Sequence, residues 1–387
     1  MRRLGQWSAW LTVAVATCGV LNGTPVADSG IDTTSGVIAI ANLDQQIKQL
    51  RDEAGVEELL LVRSRFLGDY EALDRASALT EVRFETRFEL LRRARTRSAV
   101  HRFADALADI AAAEHAGANG EEIVALRSSI LVATGHAAEV VPQLEANLTR
   151  NPGFASRAAL AVAYAAIGRL DDADRLYIAA LADLDTTLPF PYAWIYFARG
   201  VMWAEQGGDA ARGEAMYAQA LAYLPEFVAA NIHLAELQVS RGDVASAIER
   251  LEGVVRSSNE PEALALLGVL HGRNGDKVRG VHEVSLARQR YDSLLARDPL
   301  AFADHAAEFY LGPGADADRA WILAQQNLAN RETDRAAALA VKAAQAAGHY
   351  PDACALLRKY GSSPGGSLQM YLKTLDRQFA QLAPANR

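Results

Sequence analysis

One cassette returns along this chain at intervals close to 34 residues, and it limits the possible folds more than any other feature. A helical segment ends at glycine, a short polar turn follows, a small residue opens a second helix, and a large apolar residue stands four places later. Ala161, Tyr164 and Gly168 lead to Ala173, Tyr177 and Ala180, and Leu234, Ala235 and Gly242 lead to Ala247, Leu251 and Val254. Gly208 leads to Gly213, Tyr217, Ala220 and Pro225, and weaker copies begin at Gly68, Gly135 and Gly348. Gly135 and Gly168 lie 33 residues apart; Gly208 and Gly242 lie 34 apart. From about Val56 onward, alternating β-branched runs are missing, so the body of the chain reads as helix. One such helix pair cannot bury its apolar face alone, and neighbours must stack to share a core.

The cassette resembles the tetratricopeptide repeat, best in the Leu160-Ala161, Tyr164, Gly168, Ala173, Tyr177, Ala180 set. The resemblance implies an all-α, right-handed superhelical solenoid of antiparallel helix pairs over residues 51–360, about nine pairs in all. Copies near 85–118 and 301–334 depart from the pattern, through a missing glycine or the inserted Leu311-Gly312-Pro313-Gly314. Another copy divides into Leu267, Gly268, His271, Gly275 and then Ala287, Tyr291, Leu294, Pro299, with about seven extra residues between the halves. Residues 361–387 read as a Gly/Ser/Pro linker and a final helix with Leu368, Tyr371, Leu372, Leu375, Phe379 and Leu382 on one stripe. That helix is expected to cap the array, or alternatively to dock on a partner.

The N-terminus has a different character. Met1-Arg2-Arg3 precedes an apolar stretch from Trp7 to Leu21 and an exit of small and turn residues through Ala27. This is the layout of a secretory signal over residues 1–27, so the protein is expected to be exported, periplasmic or secreted. An uncleaved N-terminal anchor and a lipoprotein modified at Cys18 stay open as alternatives. Residues 28–50 read as a Ser/Thr/Gly-rich spacer, to residue 42, followed by a leading helix. The formal charge of −8 becomes −10 once Arg2 and Arg3 are removed. Cleavage also leaves Cys354 as the single thiol, read as a packed core cysteine.

Catalytic signatures do not emerge. The chain carries no Walker or dinucleotide phosphate loop, no G-x-S-x-G elbow and no H-E-x-x-H. His233, His271 and His305 recur at 38 and 34 residues but at different offsets of the repeat, so no metal and no cofactor is expected. His305, with Asp304, Glu308 and Phe309, reads as a histidine near a helix start. Asn147-Leu148-Thr149 fits a glycosylation sequon. The basic run Arg92, Arg93, Arg95 and Arg97 reads as a solvated helix face balanced by Glu81, Glu85 and Glu89. With 47 acidic against 39 basic residues, nucleic acid is an improbable ligand.

The repeat resemblance implies that the first helix of each pair lines a concave groove. Groove positions would include Ile195, Ala198, Met202, Glu205 and Gln206, then Ala229, Ile232, Glu236, Val239 and Ser240, a surface small, apolar and sparsely acidic. The aromatic stretch from Leu188 to Phe197 adds Tyr192 and Trp194, with Arg199 beside them. The expected function is a non-catalytic scaffold or adaptor that takes a protein or peptide segment. Tyr192, Trp194, Ile195, Arg199, Met202, Glu205, Ile232 and Glu236 are its candidate contacts. A self-assembling envelope protein and an enzyme with an unrecognised site are the alternatives.

Overall fold

A computed structural model describes residues 33–81, 86–361 and 367–382. The signal-like segment 1–27 and Cys18 lie outside the described residues. Among those residues every regular element is a helix.

The leading helix α1 spans Gly36–Leu50, and the paired helices follow directly. They are α2 Val56–Leu67 with α3 Tyr70–Thr80, α4 Arg87–Ala99 with α5 Phe103–His115, α6 Glu121–Ala133 with α7 Ala137–Arg150, and α8 Phe154–Ala166 with α9 Leu170–Ala182. Next come α10 Pro189–Val201, a π-helical turn at Met202–Gln206, and α11 Ala210–Tyr223. The series continues with α12 Val228–Ser240 and α13 Val244–Ser257, α14 Pro261–Arg273 and α15 Lys277–Arg297, α16 Pro299–Leu311 and α17 Ala317–Asn330, and α18 Asp334–Ala346 and α19 Tyr350–Tyr360. Helix α20, Ser367–Leu382, ends the described chain. The stretch 36–42, read from sequence as spacer, is instead the opening of α1, because Ala39 and Leu43 supply a buried face.

The chain forms two compact units. One comprises Met1–Arg199 and Gln219–Phe227, the other Gly200–Ala218 and Val228–Arg387. In each unit the second helix of a pair packs on the first helix of the next, and successive first helices touch. Ala161, Ala173 and Ala180 are buried and let backbones approach, while Tyr177 fills the space beside them. In the second unit Ala247, Leu251 and Val254 do the same for α13. Full burial is worth about 2 kcal/mol for a side chain such as Leu251 or Val254 and about 0.8 kcal/mol for an alanine methyl.

Chain reversal within a pair needs a residue in the left-handed region. Gly168 and Gly242 supply it at φ 78° and 83°. The N–H of Arg169 then donates to the Tyr164 carbonyl, and that of Asp243 to the Gln238 carbonyl. This closes the last turn of the first helix in the manner of a Schellman motif. One divergent copy makes the same turn without glycine; the other keeps glycine, with Gly314 N–H on the Phe309 carbonyl, and closes one residue wider. His101 takes φ 57°, with Arg102 N–H on the Arg97 carbonyl, and Ala315 takes φ 49°, with Asp316 N–H on the Tyr310 carbonyl.

The seven extra residues near 280 are no loop. Helix α15 has 21 residues where α13 has 14, so the insertion adds two helical turns, or about 10 Å. Gly268 and Gly280 let α14 and α15 approach: a Cβ on Gly280 would stand 2.5 Å from the Gly268 carbonyl oxygen.

Three sequence expectations are corrected here. Cys354 is exposed, since α19 directs only Ala353 fully inward. Asn147 is buried on α7, so its sequon is not offered to solvent. The arginine run of α4 is no solvated face. Arg92 pairs with Glu57, Arg93 and Arg97 share Asp109, Arg97 also holds Glu81, and Arg95 is buried beside Glu58 and Glu122. Glu57 and Asp109 are themselves buried, so removal of either would strand charge and cost about 3–5 kcal/mol.

Two substitutions test the backbone geometry. Ala315→Gly, which relieves a left-handed alanine, should raise the stability of the full chain to urea by about 1 kcal/mol. Gly280→Ala should lower it by about 1–3 kcal/mol by forcing α14 and α15 apart. Opposite signs would show that these turns and contacts are not the ones that hold the pairs.

Candidate functional site

The inner face of the second unit is built from the π-helical turn and the first helices α12, α14, α16 and α18. On α12, His233 and Glu236 stand three residues apart and share one side of the helix. Ile232 and Ala235, one step round, enter the hydrophobic core with Leu251 and Leu267. On α16 the same spacing repeats with His305 and Glu308. Glu262 comes from the first turn of α14, Arg335 from the first turn of α18, and Glu205 from the π-helical turn, a backbone form frequent at functional sites.

These side chains converge. Arg335 places its guanidinium 3.2 Å from Glu308, 3.9 Å from Asp304 and 4.0 Å from Glu205. The last distance shows how tightly the unit curls, because three first helices separate Glu205 from Arg335 in the stack. His233 Nδ1 lies 3.7 Å from Glu205 and 3.5 Å from Glu236, and His305 Nδ1 lies 3.5 Å from Glu262. Arg331 reaches Asp304 at 3.1 Å. Five carboxylates thus face two guanidiniums and two imidazoles.

The face is a wet recess. The His305 side chain keeps 42% of its accessible area, and Arg335 keeps 32%. Enclosure alone would lower the pKa of His305, but Asp304, Glu262 and Glu308 outweigh it and lift the ring to about 9. His233 moves the other way: burial lowers it, Arg335 and His305 add to the effect, and Glu205 and Glu262 only partly oppose it. Burial raises the carboxyl of Glu236 well above the usual range, helped by Glu262, Glu205 and Glu308. Burial also raises Glu308, although Arg335 and His305 oppose the shift. Arg335 is held firmly protonated, first by Glu308 and then by Glu205 and Asp304.

Of the eight contacts named from sequence, only Glu205 and Glu236 meet in this cluster. Ile195, Met202 and Ile232 are buried in the cores of their units. Tyr192 is buried, stacks on Tyr223 at 4.9 Å and donates to the Thr186 carbonyl. Arg199 is buried in a two-point ion pair with Asp174. Trp194 is half-buried, its ring edge-on to Tyr177. The expected apolar groove is, in the second unit, a charged one. His305 lies in the middle of α16 rather than near its start. His271 stands apart from His233 and His305, bound to Glu283 at 2.7 Å. Among the described residues no three His, Cys, Asp or Glu side chains are grouped so as to hold a metal ion. The legible signal was the repeated H-x-x-E of His233/Glu236 and His305/Glu308, at the same spacing in two first helices.

The helix pairs define a tetratricopeptide-like repeat fold, and residues 204–270 match the family model described as tetratricopeptide repeat. Among curated proteins none matches the chain. The solved structures it is similar to include the Cut9–Hcn1 hetero-tetramer of the APC/C, at 16% identity and a TM-score of 0.46, covering 88% of this chain and 67% of that one. The human IFIT1 dimer with PPP-AAAA aligns at 13% identity and a TM-score of 0.45, covering 85% and 90%. A tetratricopeptide repeat protein from Parabacteroides merdae aligns at 14% identity and a TM-score of 0.39, covering 65% and 93%.

The cluster predicts a pH signature. Folded His305 holds its proton to about pH 9, against about 6.5 in an unfolded chain. Its charge therefore supports the fold fully below about pH 6.5, and the support is lost as the pH rises through 9. The stability gap between wild type and His305→Gln should narrow by about 1 kcal/mol across that window, a modest value because the ring is partly solvated. An NMR titration of the ring near 6.5 would contradict this geometry.

Proposed function

We propose that the protein is a non-catalytic interaction scaffold that holds a polypeptide partner on the inner face of its second unit, and that it works after export from the cytoplasm. One observation carries the binding site: charged side chains from the π-helical turn and the first helices α12, α14, α16 and α18 are directed at one recess. Glu236 is the clearest case. His233 stands 3.5 Å from it with its own charge disfavoured by burial, so ionising Glu236 costs stability where it stands. Perturbed titratable groups gathered in a recess are the electrostatic pattern of a candidate functional site. Repeat folds characteristically bind proteins on such inner faces. Export rests on the basic-apolar-small layout of residues 1–27. Among the described residues no helix is long and apolar enough to cross a membrane.

Glu205 and Glu236, named from the sequence, stay in this proposal, joined by Glu262, His305, Glu308 and Arg335. A photo-crosslinking residue placed at Glu262 or His305 in the full chain, expressed in its native host, should trap a polypeptide. The same residue at Val278, an exposed position on α15, should not. Adducts that form only at position 278 would move the binding surface to the outside of the array.

A further inference from the structure

Within the recess the guanidiniums serve one side only. Arg335 donates to Glu308 at 3.2 Å and Arg331 to Asp304 at 3.1 Å, so both cations of α18 are held by carboxylates of α16. Glu205, Glu236 and Glu262 make up the other side. Glu205 lies 4.0 Å from Arg335 and 3.7 Å from His233. Glu236 has His233 at 3.5 Å, and Glu262 has His305 at 3.5 Å. These are ion-pair separations, longer than charge-assisted hydrogen bonds to a carboxylate.

Glu205 is short of donors as well as of charge. The residue is nine-tenths buried, yet its carboxylate accepts no hydrogen bond from any described residue. Buried polar groups normally have their partners. Elsewhere the chain supplies them: buried Glu57 accepts from Arg92 and from the Gly55 N–H, and buried Glu283 accepts from Arg279. Glu236 meets the same shortage by keeping a proton. It is faced by Glu262 from α14, Glu205 from the π-helical turn, Glu308 from α16, Arg335 from α18, Tyr217 from α11 and His233 on its own helix. Burial first, then the carboxylates among these, push its carboxyl well above the usual range.

Resting on the scaffold reading above, we infer that Glu205, Glu236 and Glu262 form a subsite for a primary ammonium group, supplied by a lysine side chain of the partner. Three carboxylates from three elements suit the three N–H donors of an ammonium, whereas a planar guanidinium calls for one carboxylate met side-on. The ammonium brings the donors that Glu205 lacks and the charge whose place a proton holds at Glu236. Binding therefore releases that proton to solvent and leaves Glu236 ionised.

The test titrates the full chain with butylammonium, butyltrimethylammonium, propylguanidinium and a Gly-Lys-Gly peptide blocked at both ends, following the ring signals of His233 and His305 by NMR. Butylammonium should bind with a Kd on the order of mM. It should bind at least about tenfold more tightly than butyltrimethylammonium, which has the same stem and charge but no N–H donor. The lysine peptide should bind at least as tightly as butylammonium. Glu205→Gln and Glu262→Gln should each weaken both at least about fivefold. Glu249→Gln, at an exposed position on α13, should leave them unchanged. Calorimetry at neutral pH in buffers of different ionisation heat should show proton release from wild type and none from Glu236→Gln. Equal binding of the two ammonium ions would reduce the recess to a diffuse negative field and overturn the subsite. Tighter binding of propylguanidinium would overturn the ammonium in favour of arginine. Binding of butylammonium without the peptide would overturn the lysine source in favour of a free amine. Crosslinking at His305 leaves all three carboxylates in place and can trap a polypeptide whatever group they hold, so failure here leaves the scaffold reading standing.

Discussion

Close approach of short helices is the condition on which everything else in this protein depends. Each pair offers two helices of about a dozen residues, too little surface to outweigh the entropy of ordering them. Small residues at the crossings, such as Ala161, Ala173 and Ala180, remove the distance, and Gly268 and Gly280 do so where α15 runs two turns longer. Each second helix then serves two neighbours at once. The stack gains a continuous interior, and the first helices are left with one side that the core does not need.

That free side is where the chain spends charge. In the first unit buried charge is compensated: Arg92, Arg93 and Arg97 meet Glu57, Asp109 and Glu81 at hydrogen-bond distance. In the second unit the inner face is unbalanced, with Glu236 enclosed among other carboxylates and His305 charged to hold them. One array thus treats buried ions in two ways. The first tightens the fold; the second keeps carboxyl groups whose ionisation burial disfavours.

Much of the fold could be read from the residues. Glycine at helix ends and alanine at fixed offsets have a mechanism behind them, and Gly168 and Gly242 stand in the left-handed region that the pattern requires. The divergent copies were harder because histidine and alanine can be forced into the left-handed region, as His101 and Ala315 are. The arginine run misled for a different reason. Its acceptors Glu57 and Asp109 lie 35 and 16 residues away, beyond the reach of local reading. The site was half legible. Glu205 and Glu236 follow from the groove frame, but a one-position error on α12 selected Ile232 in place of His233. The convergence of Glu205 with Arg335 depends on the curl of the unit, which no local pattern encodes.

The most direct measurement is the pair of effects expected from Glu236→Gln. The substitution removes a carboxyl whose ionisation is disfavoured in the fold by burial and by neighbouring carboxylates, so the full chain should resist urea better at neutral pH than wild type does. Its yield of trapped partner at position 262 should fall in the same preparation. Lower stability together with undiminished capture would mean that the inner carboxylates serve the fold and that binding lies elsewhere.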